Sequence, residues 1–329
     1  MRSLALAREI SLLQPAPVRF FVNADAVSIA SIEAAGFPVQ IAPHDPDEFA
    51  RCVAGQICSA VIFDQESEVR PFSDALRRRS NIQLLALDCF EMENDGLHLI
   101  VNLLNHSLRP RPASNSVAYL EGLDYAIIRA EFDEYLARER AVAERARRVL
   151  VSFGGADRRG NTIRVLDAMT RAGLRDLSVT VTVGANFSDR DVLEVVASKL
   201  PCKVSLERGP QSFAALMYDS DVAITGGGTT LLEAAVLGTP VLVIAQTDSE
   251  ARFGELVEQS GAAISLGAGG EQDGETIRRH LLNLLDDEPR RTAMAAAGRK
   301  LVDGRGRQRL AAIALELAAR SQVETKSPA

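Results

Sequence analysis

Residues 223–245 decide the fold of this chain, and they read AITGGGTTLLEAAVLGTPVLVIA. A short apolar run leads into three glycines and two threonines, and a helical stretch that carries Glu233 follows. Gly238 and Pro240 end this stretch, and a second apolar run comes next. The pattern predicts a strand, a tight turn, a helix and another strand, which is the repeating unit of a parallel sheet.

The glycine turn in this unit has the form of a phosphate-binding turn. The N–H groups from Gly227 to Thr230 would point outward at the N terminus of the helix, at the positive end of its dipole. Because glycine has no Cβ, a diphosphate can come close to this backbone. An acid one turn into the helix, Glu233, is placed to accept hydrogen bonds from a ribose. The turn is interpreted as a cradle for a nucleotide diphosphate.

A second interpretation of the same residues needs no ligand. Thr230 and Glu233 have the spacing of a helix capping box, in which both side chains bond to backbone N–H groups at the start of a helix. Glycines at such turns also allow close packing, and short glycine motifs often match by chance. Both interpretations stay open for this unit taken alone.

Composition sets the broad class of the protein. The chain has 329 residues, of which 47% are hydrophobic, so about two domains with buried cores are expected. The formal net charge is −7 and there is no basic block, so no nucleic-acid partner is expected. No apolar run approaches the roughly 20 residues that span a bilayer, so no transmembrane segment is expected.

The cysteines indicate the cellular compartment. All four are scattered without the spacing of a metal site; they are Cys52, Cys58, Cys89 and Cys202. This usage predicts reduced thiols and a cytoplasmic protein.

Apolar runs alternate with amphipathic stretches along the whole chain, which predicts parallel sheets with helices on both faces. In the second half, strands are expected near residues 149–153, 177–183, 202–206, 221–225, 240–245 and 262–266. A helix over residues 162–172 is closed by Gly173. This is enough for one doubly wound domain.

The first half is similar but begins differently. Its strands are expected near residues 18–23, 39–41, 59–64, 83–88 and 97–103. Residues 1–13 predict a helix, because Leu4, Ala7 and Ile10 fall on one helical face. A doubly wound domain normally begins with its central strand, and that strand with its glycine turn is missing before this helix.

These patterns predict a first domain over residues 1–145, a second over 146–320 and a polar tail over 321–329. A charged helical segment over 141–148 marks the boundary, and the last helix, over 308–320, is expected to return across it. Two such domains facing each other form a cleft at the carboxyl ends of the strands, where ligands bind.

Several motifs occur in an order and spacing that resemble a known group. They are MRSLALA at residues 1–7, GLDYAIIRAEF at 122–132, VSFGGAD at 151–157, Asn161 with Thr162, the glycine unit at 226–233, and DGRG at 303–306 with Arg309. Over nearly the whole chain, they resemble the hydrolases of the pseudaminic acid pathway, which remove UDP from UDP-2,4-diacetamido-2,4,6-trideoxy-β-L-altropyranose. That group is related to spore-coat polysaccharide proteins and to the peptidoglycan N-acetylglucosaminyltransferase.

The resemblance implies the α/β GT-B fold, with two Rossmann-like domains facing a cleft and with the sugar on the N-terminal side. It implies that the diphosphate lies on Gly227, Gly228, Thr229 and Thr230, and that Glu233 holds the uridine ribose. A second turn, Gly154 with Gly155, is expected to face the cleft beside Asp157 and Asn161. Asn161 is equally well suited to cap the helix that follows it. No cofactor and no metal ion is expected.

The chain departs from the family pattern in four places. It begins inside the first motif, so the preceding strand and the Gly-x-Gly-His turn, with its expected catalytic base, are absent. The family's Asp-x-Tyr is here Asp64-Gln65-Glu66, and its Asn-Gln pair, which the resemblance implies to face the uridine or the sugar, is matched by Ser249-Glu250. The loop over 157–161 is one residue longer.

The missing strand has an energetic consequence. Each buried backbone group that it leaves unpaired costs about 1–3 kcal/mol, and several would rival a domain's whole stability of about 5–15 kcal/mol. The true start lies upstream, or the remaining strands close up, or another chain supplies the strand. We expect an upstream start.

Other groups must activate water if the chain is complete as it stands. His44 and His106 each follow a predicted strand, and Asp64 ends another. An unperturbed histidine has a pKa of about 6.5, which suits a base. The alternative is that these are exposed loop residues. His98 and His280 are expected to have structural roles.

The sequence therefore predicts a cytoplasmic nucleotide-sugar enzyme that hydrolyses the bond between the anomeric carbon and UDP. One alternative is a glycosyltransferase that uses the same cradle. Another is a non-catalytic protein that binds a nucleotide sugar. Partner enzymes of a surface-glycan pathway are expected in each case.

Overall fold

The computed structural model describes residues 2–23, 25–65, 68–89, 96–103, 117–155, 157–184, 187–268 and 274–324. The chain forms two compact units. The first comprises Met1–Ile127 and Arg305–Ala329, and the second comprises Ile128–Gly304.

In the described part of residues 1–121, which belong to the first unit, four helices and six strands are present. The helices are α1 (Arg2–Leu13), α2 (Ala26–Ala34), α3 (Pro46–Ala54) and α4 (Val69–Arg77). The strands are β1 (Phe20–Val22), β2 (Val39–Ile41), β3 (Ala60–Asp64), β4 (Gln83–Leu87), β5 (Leu99–Asn102) and β6 (Ala118–Glu121). The five predicted strands are present with slightly different ends, and β6 was not predicted.

The strands of the first unit form two separate parallel sheets. One contains β1 and β2, and the other has the order β3-β4-β5-β6. Within the described residues β1 and β3 do not pair, so the idea that the remaining strands close up into one sheet is wrong. The ring of Phe49, from α3, bridges the two sheets, because its centroid lies 5.4 Å from that of Phe21 and 6.5 Å from that of Phe63.

The second unit begins with a short 3₁₀ turn, Ala130–Phe132, and continues as alternating strands and helices. Its strands are β7 (Arg148–Ser152), β8 (Ser178–Val183), β9 (Lys203–Arg208), β10 (Val222–Thr225), β11 (Val241–Ala245) and β12 (Ile264–Ala268). Its helices are α5 (Asp133–Leu136), α6 (Asn161–Ala172), α7 (Arg190–Ser198), α8 (Phe213–Asp219), α9 (Thr229–Leu237), α10 (Asp248–Gln259), α11 (Gly274–Asp286) and α12 (Glu288–Leu301). All six strands predicted for this half are present.

These strands form one parallel sheet in the order β12-β11-β10-β7-β8-β9. Counted from β7, this is the order 3-2-1-4-5-6 of a doubly wound fold. The residues of β10 and β11 are all buried, as expected for apolar strands covered on both faces. Along β8, buried and half-buried residues alternate, which matches its alternating valine and polar sequence.

The last helix, α13 (Gly306–Glu324), belongs to the first unit. Its apolar residues Leu310, Ala311 and Ala314 are buried in one cluster with Ile10 of α1 and Leu87 of β4. The last helix was expected to return to the first domain. It does so because its apolar residues complete the core on one face of the first unit's sheet.

The first unit ends earlier than the predicted boundary at residue 145. Residues 141–147 contain no helix, so the charged helical segment predicted there is wrong. The chain before β7 belongs to the second unit because its side chains pack there. Phe132 is fully buried with its ring centroid 6.4 Å from that of Phe213, and the Tyr135 ring lies 5.1 Å from that of Tyr218.

A buried carboxylate sets the start of the two central strands. Asp221, just before β10, accepts hydrogen bonds from the N–H groups of Arg147 and Arg148, both at 2.8 Å, and from the Arg148 guanidinium at 2.9 Å. Burial by itself raises the pKa of Asp221, but the hydrogen bonds from Arg148 and from the two N–H groups outweigh it and lower the pKa. The carboxylate thus aligns β10 with β7.

None of the described helices is both long enough and apolar enough to cross a membrane.

Replacement of Asp221 by alanine should lower the free energy of unfolding by about 2 kcal/mol, because two N–H donors lose their acceptor. Denaturant unfolding measures this difference. The exposed Asp219→Ala is the control, expected to change stability by less than about 0.5 kcal/mol. The charged carboxylate stabilises the fold above the unfolded pKa of about 3.9, and this contribution is lost as the pH falls through the lower folded pKa. Equal stability of wild type and Asp221→Ala at pH 7 would contradict the assignment.

Candidate functional site

The site lies at the carboxyl ends of the two central strands of the second unit. Thr225 of β10 pairs with Ser152 of β7, so the turns that follow these strands start side by side. From here the chain connects to opposite sides of the sheet, which makes this the switch point where open α/β sheets bind ligands.

A cavity of about 390 Å³ opens at this switch point. Six of the nine predicted binding residues line it, namely Gly154, Gly155, Asp157, Gly228, Thr229 and Thr230. The other three, Asn161, Gly227 and Glu233, are not part of its wall. Residues outside these nine also contribute, including Arg158, Gln246 and Glu250.

The N terminus of α9 presents open hydrogen-bond donors to the cavity. Gly228 precedes the helix, and no side chain caps it. Within the described part of the chain, the N–H groups of Gly228, Thr229 and Thr230 have no acceptor, whereas Leu231 donates to the Gly228 carbonyl at 3.1 Å. Three open donors at the positive end of a helix dipole form an anion-binding arrangement.

The glycine turn itself is explained partly by packing. A Cβ on Gly227 would overlap the carbonyl oxygen of Glu250, and one on Gly226 would lie 2.9 Å from Glu250 Oε2. The N–H of Gly227 donates to the same Oε2 at 3.2 Å. Glycine is therefore required at position 227 by the approach of α10, and the Gly227 donor that was assigned to a diphosphate is occupied by an internal carboxylate.

Asp157, rather than Asn161, caps α6. Its two carboxylate oxygens accept the N–H of Asn161 at 2.9 Å and that of Thr162 at 2.8 Å. The cap position itself is Gly160, so the prediction that Asn161 is the N-cap is wrong. Asn161 is fully buried, and its side-chain amide donates to the carbonyl of Ile244 at 3.3 Å, which ties α6 to β11.

Glu233 forms a buried ion pair. Only 3% of this residue is exposed, and its carboxylate accepts hydrogen bonds from Nε of Arg129 at 2.6 Å and from Nη2 at 2.8 Å. The guanidinium also lies 4.7 Å from the ring centroid of Phe213 and 5.3 Å from that of Phe132. Burial raises the pKa of Glu233, and the hydrogen bonds from Arg129 oppose this effect. The capping-box interpretation is wrong, because Glu233 bonds to Arg129 and Thr230 is inside the helix.

Of the three catalytic candidates in the first unit, the structure describes Asp64 and His44. Asp64 accepts a hydrogen bond from Nε of Arg2 at 2.8 Å and another from the hydroxyl group of Ser3. It therefore holds the start of α1 against the end of β3. His44 is exposed after β2. His106 lies outside the described residues.

Arg129, Arg158 and Gln246 were missed by sequence reasoning. Gln246 donates from Nε2 to the Phe153 carbonyl at 3.0 Å and so joins the ends of β11 and β7. No local pattern identifies these contacts. Glu250 had a signal, since Thr247 and Glu250 have capping-box spacing, and Thr247 Oγ1 accepts the N–H of Glu250 at 3.1 Å.

Among the described residues, no three His, Cys, Asp or Glu side chains come together in a way that could hold a metal ion.

Comparisons with curated proteins find two informative relatives. The chain is 28% identical over 221 residues to the spore coat polysaccharide biosynthesis protein SpsG of Bacillus subtilis, which covers 66% of this chain and 64% of SpsG. It is 27% identical over 257 residues to the uncharacterized protein MJ1062 of Methanocaldococcus jannaschii, which covers 75% of this chain and 52% of that protein. The chain thus spans less than two thirds of the length of either relative. No family model matches the chain.

Several solved structures have a similar fold. MurG of Acinetobacter baumannii superposes with a TM-score of 0.68 at 12% identity over 96% of this chain and 95% of MurG. The spinosyn forosaminyltransferase SpnP gives 0.65 at 16% identity over 97% and 95%. The UDP-GlcNAc 2-epimerase of Neisseria meningitidis, bound to UDP-GlcNAc, gives 0.58 at 12% identity over 97% and 98%. The chain has the α/β GT-B fold, with parallel sheets in two Rossmann-like units, as the sequence predicted.

Glu233→Leu should lower the free energy of unfolding by about 3 kcal/mol, because Arg129 loses its bidentate partner and keeps only Glu131, whose Oε1 lies 3.0 Å from Nη1. This is the lower end for a buried pair, since a quarter of the Arg129 side chain stays exposed. The double variant with Arg129→Met should recover most of the loss. Denaturant unfolding of both single variants and the double variant measures the coupling, with the exposed Glu134→Gln as control. Additive losses in the double variant would show that the two residues do not act as a pair.

Proposed function

We propose that the protein binds a nucleotide sugar and breaks the bond between its anomeric carbon and the diphosphate. The observation that carries this proposal is the set of three open N–H donors at the N terminus of α9, facing a cavity at the switch point of the sheet. A diphosphate supplies the oxygen acceptors and negative charge that these donors require.

Arg158 adds a positive charge to the same cavity. It is exposed in the loop after β7 and lines the wall together with Thr229 and Thr230. A guanidinium binds phosphate oxygens through several parallel N–H groups. The neighbouring carboxylate of Asp157 uses both of its oxygens to accept backbone N–H groups of α6, so its negative charge is stabilised within the protein.

The choice of a nucleotide sugar is supported by the proteins that this chain resembles. One of them is a 2-epimerase bound to UDP-GlcNAc, another is a forosaminyltransferase, and SpsG is named for polysaccharide biosynthesis. UDP is therefore the proposed nucleotide. Fold likeness alone does not fix the reaction, because one fold serves several chemistries.

Hydrolysis is the first proposed reaction, and it follows from the resemblance to hydrolases that release UDP. The bond between the anomeric carbon and the β-phosphate oxygen breaks, and UDP leaves with the bonding electrons. Water supplies the new hydroxyl group and gives up a proton. The N–H donors of Gly228, Thr229 and Thr230 stabilise the charge that develops on the leaving diphosphate.

Glycosyl transfer is the second candidate. The fold likeness to a forosaminyltransferase and the name of SpsG favour it as strongly as they favour hydrolysis. In this case a hydroxyl group of a sugar or lipid-linked acceptor takes the place of water, and the same donors hold the diphosphate. Partner enzymes of a surface-glycan pathway are proposed for both reactions, and the cytoplasm is the proposed location.

The Glu233 carboxylate is left out of this nucleotide site. Both of its oxygens bond to Arg129, only 3% of the residue is exposed, and it does not line the cavity.

Arg158→Ala should weaken UDP binding by about tenfold or more, because a hydrogen bond to a charged group contributes about 1.5–3 kcal/mol. Isothermal titration calorimetry with UDP measures the affinity. The neighbouring Arg159→Ala is the matched control, since Arg159 is exposed but does not line the cavity. Equal losses of UDP affinity in both variants would show that the effect comes from the net charge of the protein and not from a contact in the cavity.

Turnover separates the proposed reactions. The protein is incubated with UDP-GlcNAc and with a UDP-linked di-N-acetylated deoxy sugar, with and without sugar acceptors, and UDP release is measured. Release without acceptor is the expected result and indicates hydrolysis, whereas release only with acceptor indicates transfer. Binding without release indicates a non-catalytic protein, and failure of UDP and both UDP-sugars to bind overturns the proposal.

A further inference from the structure

The sheet of the second unit ends at β9, and the outer edge of this strand is open. Lys203 donates its N–H to the carbonyl of Leu177 on the inner side, at 3.2 Å. Because the direction of the backbone groups alternates along a strand, those of Val204, Leu206 and Arg208 point outward. Within the described residues, β9 pairs only with β8, and no backbone group bonds to its outer edge. This edge can therefore accept another strand.

One face of β9 is covered by α7. Arg208 donates from Nη2 to Glu194 of this helix at 2.7 Å. Since alternate residues of a strand share a face, Val204 and Leu206 lie on the same side as Arg208. Both of these apolar residues pack against the core of the second unit. This face is thus anchored, and the strand is held in place up to its outer edge.

The opposite face of β9 carries charges in a symmetric arrangement. Lys203 is exposed, Glu207 is half-buried, and Ser205 lies midway between them. The hydroxyl group of Ser205 donates to Oε1 of Glu207 at 2.6 Å. The strand therefore has a positive charge two residues before Ser205 and a negative charge two residues after it. Such a strand is complementary in charge to an antiparallel copy of itself.

The hydrogen bonds select the register of such a pair. In an antiparallel ladder, residues whose backbone groups point outward face each other, so Val204 can lie opposite Val204, Leu206 or Arg208 of a second copy. With Leu206 opposite Val204, Lys203 lies opposite Glu207 on both sides of the twofold axis. The other two registers place Lys203 opposite an uncharged residue. Opposite charges on facing strands stabilise the pair, so the first register is favoured.

We propose that the outer edge of β9 pairs with the same edge of a second copy of this chain. The result is a symmetric dimer in which six strands from each copy form one continuous sheet. Open sheets of this size occur in α/β enzymes, and a twofold interface uses the same patch on both subunits. This inference goes beyond the proposed function and does not depend on it.

The helix beside the edge adds an apolar contribution. The twofold axis passes through Ser205 perpendicular to the sheet, so α7 and its copy lie on the same face. Val192 and Val195 of α7 are 50% and 55% exposed, and they flank Glu194, which contacts β9. Two short strands bury less surface than a standard interface of about 1,600 Å². We therefore expect a weak dimer, with a dissociation constant on the order of 10 μM.

A charge exchange across the axis provides the test. Sedimentation velocity of the full chain, from about 1 to 300 μM, measures dimerisation of wild type, Lys203→Glu, Glu207→Lys and the double variant. Each single substitution brings two pairs of like charges together and should weaken dimerisation at least about tenfold. The double variant should recover it. The matched control is Lys199→Glu, an exposed charge reversal at the end of α7, which should have little effect.

An equal mixture of the two single variants is the most specific measurement. In the mixed dimer every Glu lies opposite a Lys, so it should form at least about tenfold more tightly than either single variant dimerises alone. A wild-type protein that stays monomeric over the whole range overturns the proposal. A dimer that neither single substitution weakens, or a mixture that gives no gain, also overturns it, because the dimer then forms through another surface.

Discussion

The parallel pairing of β7 with β10 is the constraint on which the second unit depends. Asp221 holds the beginning of both strands through the N–H groups of Arg147 and Arg148. The register then places Ser152 opposite Thr225 at the other end. Since the strands start together and run in parallel, the two glycine turns emerge together, and the cavity forms between them.

The cavity combines donors with an internal acceptor. Open N–H groups at the start of α9 attract an anion, while Glu250 places a negative charge on the neighbouring part of the turn. These opposite preferences are compatible because they apply to different groups of one ligand. A molecule with a diphosphate at one end and hydroxyl groups at the other satisfies both, which is the chemical character of a nucleotide sugar.

Short-range features were largely readable from the chain. The strands of the second unit and the helix behind the glycine turn follow from apolar runs separated by Gly and Pro, since these patterns reflect local backbone preferences and burial. Capping was predicted less well. Asn161 has the right residue type for an N-cap, but Asp157 reaches the free N–H groups from the preceding turn. Residues 141–147 were predicted to be helical from their charge, yet they form no helix, and the N–H of Arg147 instead donates to Asp221.

The sequence by itself determined the fold class and the place of the glycine turn, because strand, glycines and helix are contiguous and their geometry is local. Only the tertiary structure decided what the acids do. Glu233 meets Arg129, 104 residues away, and Glu250 meets Gly227 across 23 residues. Such contacts depend on how separate elements pack, and the residues next to either partner in the sequence do not indicate the other partner. For that reason the sequence could not show that Glu233 forms a buried ion pair, or that the acid lining the cavity lies on another helix.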